Sequence, residues 1–192
     1  PSKEAVKNLK KESLIDGVIL SGDVMYDVYK KFSFYKDNLD EDLKKSGYIL
    51  STIHRRENIN SFEKLSAIFK NLNQINNNQK IIMPLHPHTK QKIEKYKIQT
   101  NISIIDPVGY ISMLSLLNDC EMVITDSGGL QKESYFAKKK CLVIRDETEW
   151  VELLESGTSI LANADKEKIL KSVKYLLNAE LKFTNIFGDA NA

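Results

Sequence analysis

Tyr48-Ile49-Leu50-Ser51-Thr52-Ile53, followed at once by His54-Arg55-Arg56-Glu57-Asn58, is the stretch that decides the fold. The first six residues form a near-continuous apolar run, the pattern of a strand covered on both faces. The next five are charged or polar, so the chain leaves the interior abruptly. A loop follows, then a helix capped by Asn60 or Ser61, with Glu63 in its first turn and Phe62, Leu65, Ile68, Phe69 and Leu72 at helical spacing. Asn76-Asn77-Asn78 ends it.

The same alternation continues outward. Downstream, strands are expected at 80–83, 102–105, 122–125, 141–144 and 159–161, with helices at 89–97, 111–118, 130–137 and 165–178. Upstream, residues 2–12 read as helix, 17–21 as a short strand, and 24 to about 37 as a helix with Met25, Val28, Tyr29 and Phe32 on one side. About seven strands separated by helices form βαβ units, which require a parallel sheet with right-handed crossovers. The expected fold is α/β, a doubly wound, Rossmann-like parallel sheet in a single domain spanning residues 1–192. In such sheets ligands bind beyond the carboxyl ends of the strands.

Bulk composition narrows the function classes. Of 192 residues, 42% are hydrophobic and 28% charged, enough to bury a core without staples. Net charge is +2, from 28 basic and 26 acidic residues spread along the helices. That balance gives no basic face for nucleic acid, and no nucleic-acid partner is expected. No apolar run approaches the ~18–20 residues that cross a bilayer, so no membrane partner is expected either. Cys120 and Cys141 lie beside buried strands without a CxxC spacing, and read as reduced core thiols of a cytoplasmic protein.

The strand ends collect the chemistry. They carry His54-Arg55-Arg56-Glu57-Asn58, His86-Pro87-His88, Asp106-Pro107-Val108-Gly109-Tyr110, Asp126-Ser127-Gly128-Gly129 and Arg145-Asp146-Glu147-Thr148-Glu149-Trp150. All three histidines of the chain fall on this one edge. Gly128 and Gly129 allow a tight turn and close backbone approach. The helix behind them aims free N–H groups and a positive dipole end at the same spot, so the turn reads either as an anion site helped by the Ser127 hydroxyl or as Ser127 capping the helix. His54, Arg55 and Arg56 read either as cleft residues, the arginines matching phosphate oxygens, or as a salt-bridged loop. Arg145 with Glu147 and Glu149 reads either as a cleft cluster or as a salt-bridged helix start. Trp150 is core or cleft wall. His86-Pro87-His88 has no third ligand at metal spacing, and no metal is expected.

Together these strings resemble the non-hydrolysing UDP-N-acetylglucosamine 2-epimerase family. The matching pieces are Gly22-Asp23-Val24-Met25-Tyr26-Asp27, His54-Arg55-Arg56-Glu57-Asn58, Pro84-Leu85-His86-Pro87, Thr125-Asp126-Ser127-Gly128-Gly129-Leu130-Gln131-Lys132-Glu133, Arg145-Asp146-Glu147-Thr148-Glu149 and Gly188-Asp189-Ala190-Asn191-Ala192. The resemblance implies one half of a glycosyltransferase-B type fold, with this chain as the C-terminal, nucleotide-sugar-binding domain. The N-terminal domain, with its catalytic carboxylates, is then a partner that this chain lacks. It implies C2 epimerisation of UDP-N-acetylglucosamine to UDP-N-acetylmannosamine by UDP elimination and re-addition, with no cofactor, in a full-length enzyme that is a homodimer.

Residue by residue, His54 matches a catalytic histidine. Ser127, Gly128 and Gly129 match the diphosphate contacts, and Glu133 the carboxylate that holds the ribose. Arg55, Arg56 and His86 match other positions of the substrate cleft, and Arg145, within a matching string, is expected to bind substrate with them. The chain departs from the better-known members in three places. Trp150 stands for an arginine that approaches the nucleotide, Met113 for an aromatic near the uracil, and Lys132 for one of two consecutive glutamates. This pattern is similar to a branch that includes epimerases of diacetamido-uronic acid nucleotides. Two other readings share these motifs: the donor-binding half of a UDP-sugar glycosyltransferase, and a non-catalytic nucleotide-sugar-binding module. The isolated chain is expected to lack epimerase activity.

Overall fold

The computed structural model describes residues 1–35 and 47–192. Its centre is a six-stranded, all-parallel sheet in the order β3-β2-β1-β4-β5-β6, formed by β1 (Ile49–Thr52), β2 (Ile81–Pro84), β3 (Ser103–Ile105), β4 (Met122–Thr125), β5 (Lys140–Val143) and β6 (Ser159–Leu161). Among the described residues the helices are α1 (Lys3–Lys11), α2 (Val24–Phe32), α3 (Arg56–Ile59), α4 (Phe62–Asn76), α5 (Pro87–Tyr96), α6 (Tyr110–Asp119), α7 (Gly128–Phe136), α8 (Val151–Glu155) and α9 (Lys166–Asn178).

The continuous apolar runs are explained by two cores, one on each face of the sheet. Successive strand residues point to opposite faces. Ile49, Met122 and Ile124 therefore pack with Leu65, Ile68, Phe69, Ile169 and Leu176 from α4 and α9. Leu50 and Val123 pack with Tyr29, Leu114, Leu117, Tyr135 and Phe136 from α2, α6 and α7. Each such leucine or isoleucine, fully removed from water, contributes about 1.5–3 kcal/mol of transfer free energy. Cys120 and Cys141 are free and buried in the second core.

Caps fix where helices begin. Ser61 Oγ accepts from the Lys64 N–H at 3.1 Å, and Asp165 accepts from Lys168 N–H at 2.7 Å. Helix α5 begins at Pro87, two residues before the expected 89. Proline suits the first helical position because its missing N–H has no helical partner there, and His86 Nδ1 accepts from the His88 N–H at 3.2 Å.

Three expectations are corrected. Residues 17–21 are not a strand: Gly17 and Gly22 take positive φ (74° and 93°), and Ile19 lies on the surface, 82% exposed. Among the described residues the sheet accordingly has six strands. Helix α2 ends at Phe32 with Ser33 as its C-cap, short of the expected end near 37; positions 36 and 37 lie outside the described residues. The short helices α3 and α8 were not expected, because four or five residues are too few to show a period.

The stretches around Gly22 and Gly188 meet. The Asp23 N–H donates to the Phe187 carbonyl at 3.1 Å. Gly188 has φ 89°, and a Cβ there would lie 3.1 Å from the Gly22 Cα. Bare backbone on both sides is what permits the approach.

Candidate functional site

The strand order reverses between β1 and β4, and at such a switch point the loops part to leave a crevice. Thr52 of β1 is in register with Thr125 of β4, so His54 and Ser127 emerge side by side. A cleft of about 290 Å³ opens there. Thr52, His54, His86, Ser127, Gly129 and Glu133 form its polar lining, and Pro84, Pro107, Val108, Met113 and Leu130 its apolar wall.

Asp126, 0% exposed, organises this rim. Its carboxylate accepts from the His54 N–H at 3.0 Å, the Arg55 N–H at 2.9 Å and Asn58 Nδ2 at 3.0 Å. Charge-assisted bonds of this kind offset the cost of burying a carboxylate. Asn58 Nδ2 also donates to the Ile144 carbonyl at 2.9 Å, which ties the end of β5 to the same loop. His54 Nδ1 lies 3.6 Å from Asp126 Oδ1.

Ser127 caps the helix, as one of its two readings expects. Its Oγ accepts from the Leu130 N–H at 3.4 Å, capping α7, and the residue also lines the cleft. Gly129 borders the open cleft. Gly128 faces the other way, toward Glu149, whose carboxylate occupies the space a Cβ would need. Trp150 Nε1 donates to the Gly128 carbonyl at 2.9 Å.

Two imidazoles stack in the cleft. The His54 and His86 ring centroids are 5.7 Å apart at 27°, and His88 meets His86 edge-on at 5.1 Å. Burial, with the charges His54 and His88 can carry, lowers the His86 pKa from its ordinary value and favours the neutral ring. Glu133 is half-buried and lines the same cleft. Burial raises its pKa, opposed by a hydrogen bond from Tyr110 and the charge of Lys132. The Tyr110 hydroxyl is in turn pushed up to about 12, first by burial and then by Glu133.

The arginines are placed differently from the histidines. Arg145, with a side chain 10% exposed, bridges Glu57 at 3.3 Å and Glu149, and does not line the cleft. Arg55 donates to the Asp126 carbonyl at 3.3 Å and lies 3.4 Å from Glu149. Arg56 is exposed on α3 and makes no ion pair among the described residues. Trp150 packs edge-on against Phe187, with the Lys132 ammonium 4.3 Å from its ring centroid, and is core more than cleft wall.

Three participants were not singled out from sequence, Asp126 as a hub, Asn58 and Tyr110; Lys132 was, but not its pairing with Asp23. Asn58 stood in a quoted string, but nothing in a string tells a buried amide from a solvated one. No group of three His, Cys, Asp or Glu side chains arranged to hold a metal occurs among the described residues. Nor is any described helix long and apolar enough to cross a membrane.

The family model for UDP-N-acetylglucosamine 2-epimerase matches residues 1–192. The chain belongs to this epimerase family. A UDP-N-acetylglucosamine 2-epimerase homolog from Methanococcus maripaludis is 39% identical over all of this chain and 57% of its own length. The UDP-2,3-diacetamido-2,3-dideoxy-D-glucuronate 2-epimerase of Pseudomonas aeruginosa is 37% identical over 95% of this chain and 52% of its own length. The crystal structure of Methanocaldococcus jannaschii UDP-GlcNAc 2-epimerase in complex with UDP-GlcNAc and UDP superposes with a TM-score of 0.91 at 31% identity, covering 100% of this chain and 57% of that one. The chain thus spans about half the length of the epimerases it matches.

Proposed function

We propose that this chain is the UDP-binding, C-terminal half of an enzyme that epimerises a UDP-acetamido sugar at C2. The observation that carries the reading is one cleft, at the switch point of the sheet, lined together by His54, Ser127, Gly129 and Glu133. Ser127, Gly128 and Gly129 at the start of α7 hold the diphosphate, where helix N–H groups and dipole favour negative charge. Glu133, one helical turn further, accepts from the ribose hydroxyls. The apolar wall of Pro107, Val108 and Met113 takes the base. His54 and His86 face the diphosphate–sugar junction, with His54 as the acid/base group of this half.

In the reaction, the C2 proton is removed and the C1–O bond to UDP breaks, leaving a C1–C2 double bond. UDP then re-adds at C1 while a proton returns to the other face of C2. Stabilising the leaving diphosphate is the task of this half. The C2 proton chemistry falls to carboxylates of the preceding N-terminal domain, so the 192-residue chain by itself binds UDP but does not epimerise. The arginines support the site from behind: Arg55 and Arg145 brace Glu149 and Glu57, and Arg56 is free to meet substrate or the preceding domain. The complete enzyme is a cytoplasmic homodimer; the two unpaired thiols fit a reducing compartment.

The sugar is a UDP-N-acetylglucosamine or a diacetamido-uronate relative, the latter favoured by Lys132 and Trp150 in place of the more usual Glu and Arg. Incubating the full-length enzyme with each UDP-sugar in D2O, without acceptor, tests the proposal. Deuterium at C2 together with the C2 epimer is the expected result. UDP-sugar recovered without deuterium or epimer, but transferred once an acceptor is added, would instead mark a glycosyltransferase, and binding with neither reaction a non-catalytic module.

A further inference from the structure

We propose that Asp126 is the positioning residue for His54, turning Nδ1 inward and presenting Nε2 to the cleft. Three observations carry this. First, the two carboxylate oxygens are used unequally. Oδ2 receives the Arg55 N–H at 2.9 Å and Asn58 Nδ2 at 3.0 Å, whereas Oδ1 shares only the His54 N–H, at 3.0 Å. Oδ1 is also the atom 3.6 Å from His54 Nδ1, so the oxygen with acceptor capacity left is the one the ring faces. Second, Asp126 holds the main chain of His54 as well as facing its side chain, so both are referred to one fully buried group. Third, the His86 ring stacks on His54 at 5.7 Å and limits its rotation.

The consequence is a fixed tautomer. With Nδ1–H directed at the carboxylate, neutral His54 keeps its lone pair on Nε2, on the side of the ring that lines the cleft. A hydrogen bond from the second ring nitrogen is the usual means of fixing which nitrogen does chemistry. The 3.6 Å separation is long for a hydrogen bond, and such contacts commonly tighten when substrate closes a site. The relevance to catalysis rests on His54 being the acid/base group proposed above; the orientation itself does not.

Long-range proton–nitrogen NMR of the 15N-labelled 192-residue chain, with the imidazole neutral and His54 assigned by its loss in His54→Gln, tests the orientation. The expected spectrum shows a protonated Nδ1 and a bare Nε2. A bare Nδ1 in the wild-type chain overturns the proposal. In Asp126→Asn the population should shift toward the Nε2–H form; a folded variant that keeps the Nδ1–H form also overturns it. If that variant does not fold, the wild-type spectrum decides alone. In the full-length enzyme, Asp126→Asn should lower kcat by roughly 10²- to 10⁴-fold with a far smaller change in KM. The expected tautomer beside an unchanged kcat would remove His54 from the chemistry and leave its orientation standing.

Discussion

Lys132 donates to the carboxylate of Asp23 at 2.6 Å, with side chains only 6% and 3% exposed. The pair joins α7, which borders the cleft, to the N-cap of α2, and the Trp150 ring covers the ammonium. Removing one partner of a buried pair leaves an uncompensated charge, which costs about 3–5 kcal/mol. Lys132→Met should therefore lower the unfolding free energy by about that amount. Lys132→Met combined with Asp23→Asn should recover most of it. Chemical denaturation of both variants measures the difference, and equal losses would mean that the charge is not what matters.

Glu133 gives the site a pH signature. Burial raises its pKa above the usual 4.5, so as pH falls the carboxylate is protonated earlier than an exposed one would be. An ionised Glu133 is the form that accepts from both ribose hydroxyls. Affinity for UDP should therefore drop as pH falls through the raised value, while affinity for inorganic diphosphate should not follow the same midpoint. Stability has the opposite sign. Between the ordinary and the raised value the native state binds more protons than the unfolded chain, so Glu133 contributes a loss of stability as pH rises through that window. Calorimetric titration across this range reads the first effect.

Glu133→Gln should weaken UDP by about 10- to 100-fold, the loss expected for hydrogen bonds to a charged acceptor. Diphosphate should bind nearly as before. Parallel losses for both ligands would place Glu133 at the phosphates instead of the ribose.

Asn58→Ala removes two hydrogen bonds, to Asp126 and to the Ile144 carbonyl, both buried. The expected cost is about 2–4 kcal/mol, from two buried acceptors each losing a partner. Amide exchange should quicken first at His54 and Arg55, whose N–H groups share the same carboxylate. Uniform quickening across the sheet would show that Asn58 supports the fold generally and the rim only incidentally.

Cys120 and Cys141 are pushed up to about 12 by burial, so almost no thiolate exists at neutral pH. Neither should react with a thiol-disulfide reagent in the native chain. Both should react at once in denaturant.

Periodicity made the sheet legible because a strand covered on both faces must be apolar at nearly every position, as 48–53 and 122–125 are. It misread 17–21 because four apolar or small residues between glycines look alike whether they cross a core or run along a surface. The cleft was legible as a set of strand ends, since a parallel sheet puts them all on one edge. What each polar residue does there was not. Arg145 and Ser127 occupy equivalent places after β5 and β4, yet Arg145 turns to Glu57 and Glu149 while Ser127 lines the opening. Which charges neutralise one another depends on distances of a few ångströms across loops, and spacing along the chain does not encode them.

The meeting of Gly22 and Gly188 places Asp23 where two anchorages converge. Asp23 is tied to Phe187 through one backbone hydrogen bond and to α7 through its carboxylate and Lys132. The first turn of α7 carries Gly129 and is capped by Ser127. The helix that borders the cleft is thus two contacts from Phe187: Lys132 holds the Asp23 carboxylate, and the Asp23 N–H holds the Phe187 carbonyl, so residues far apart in sequence share one anchorage.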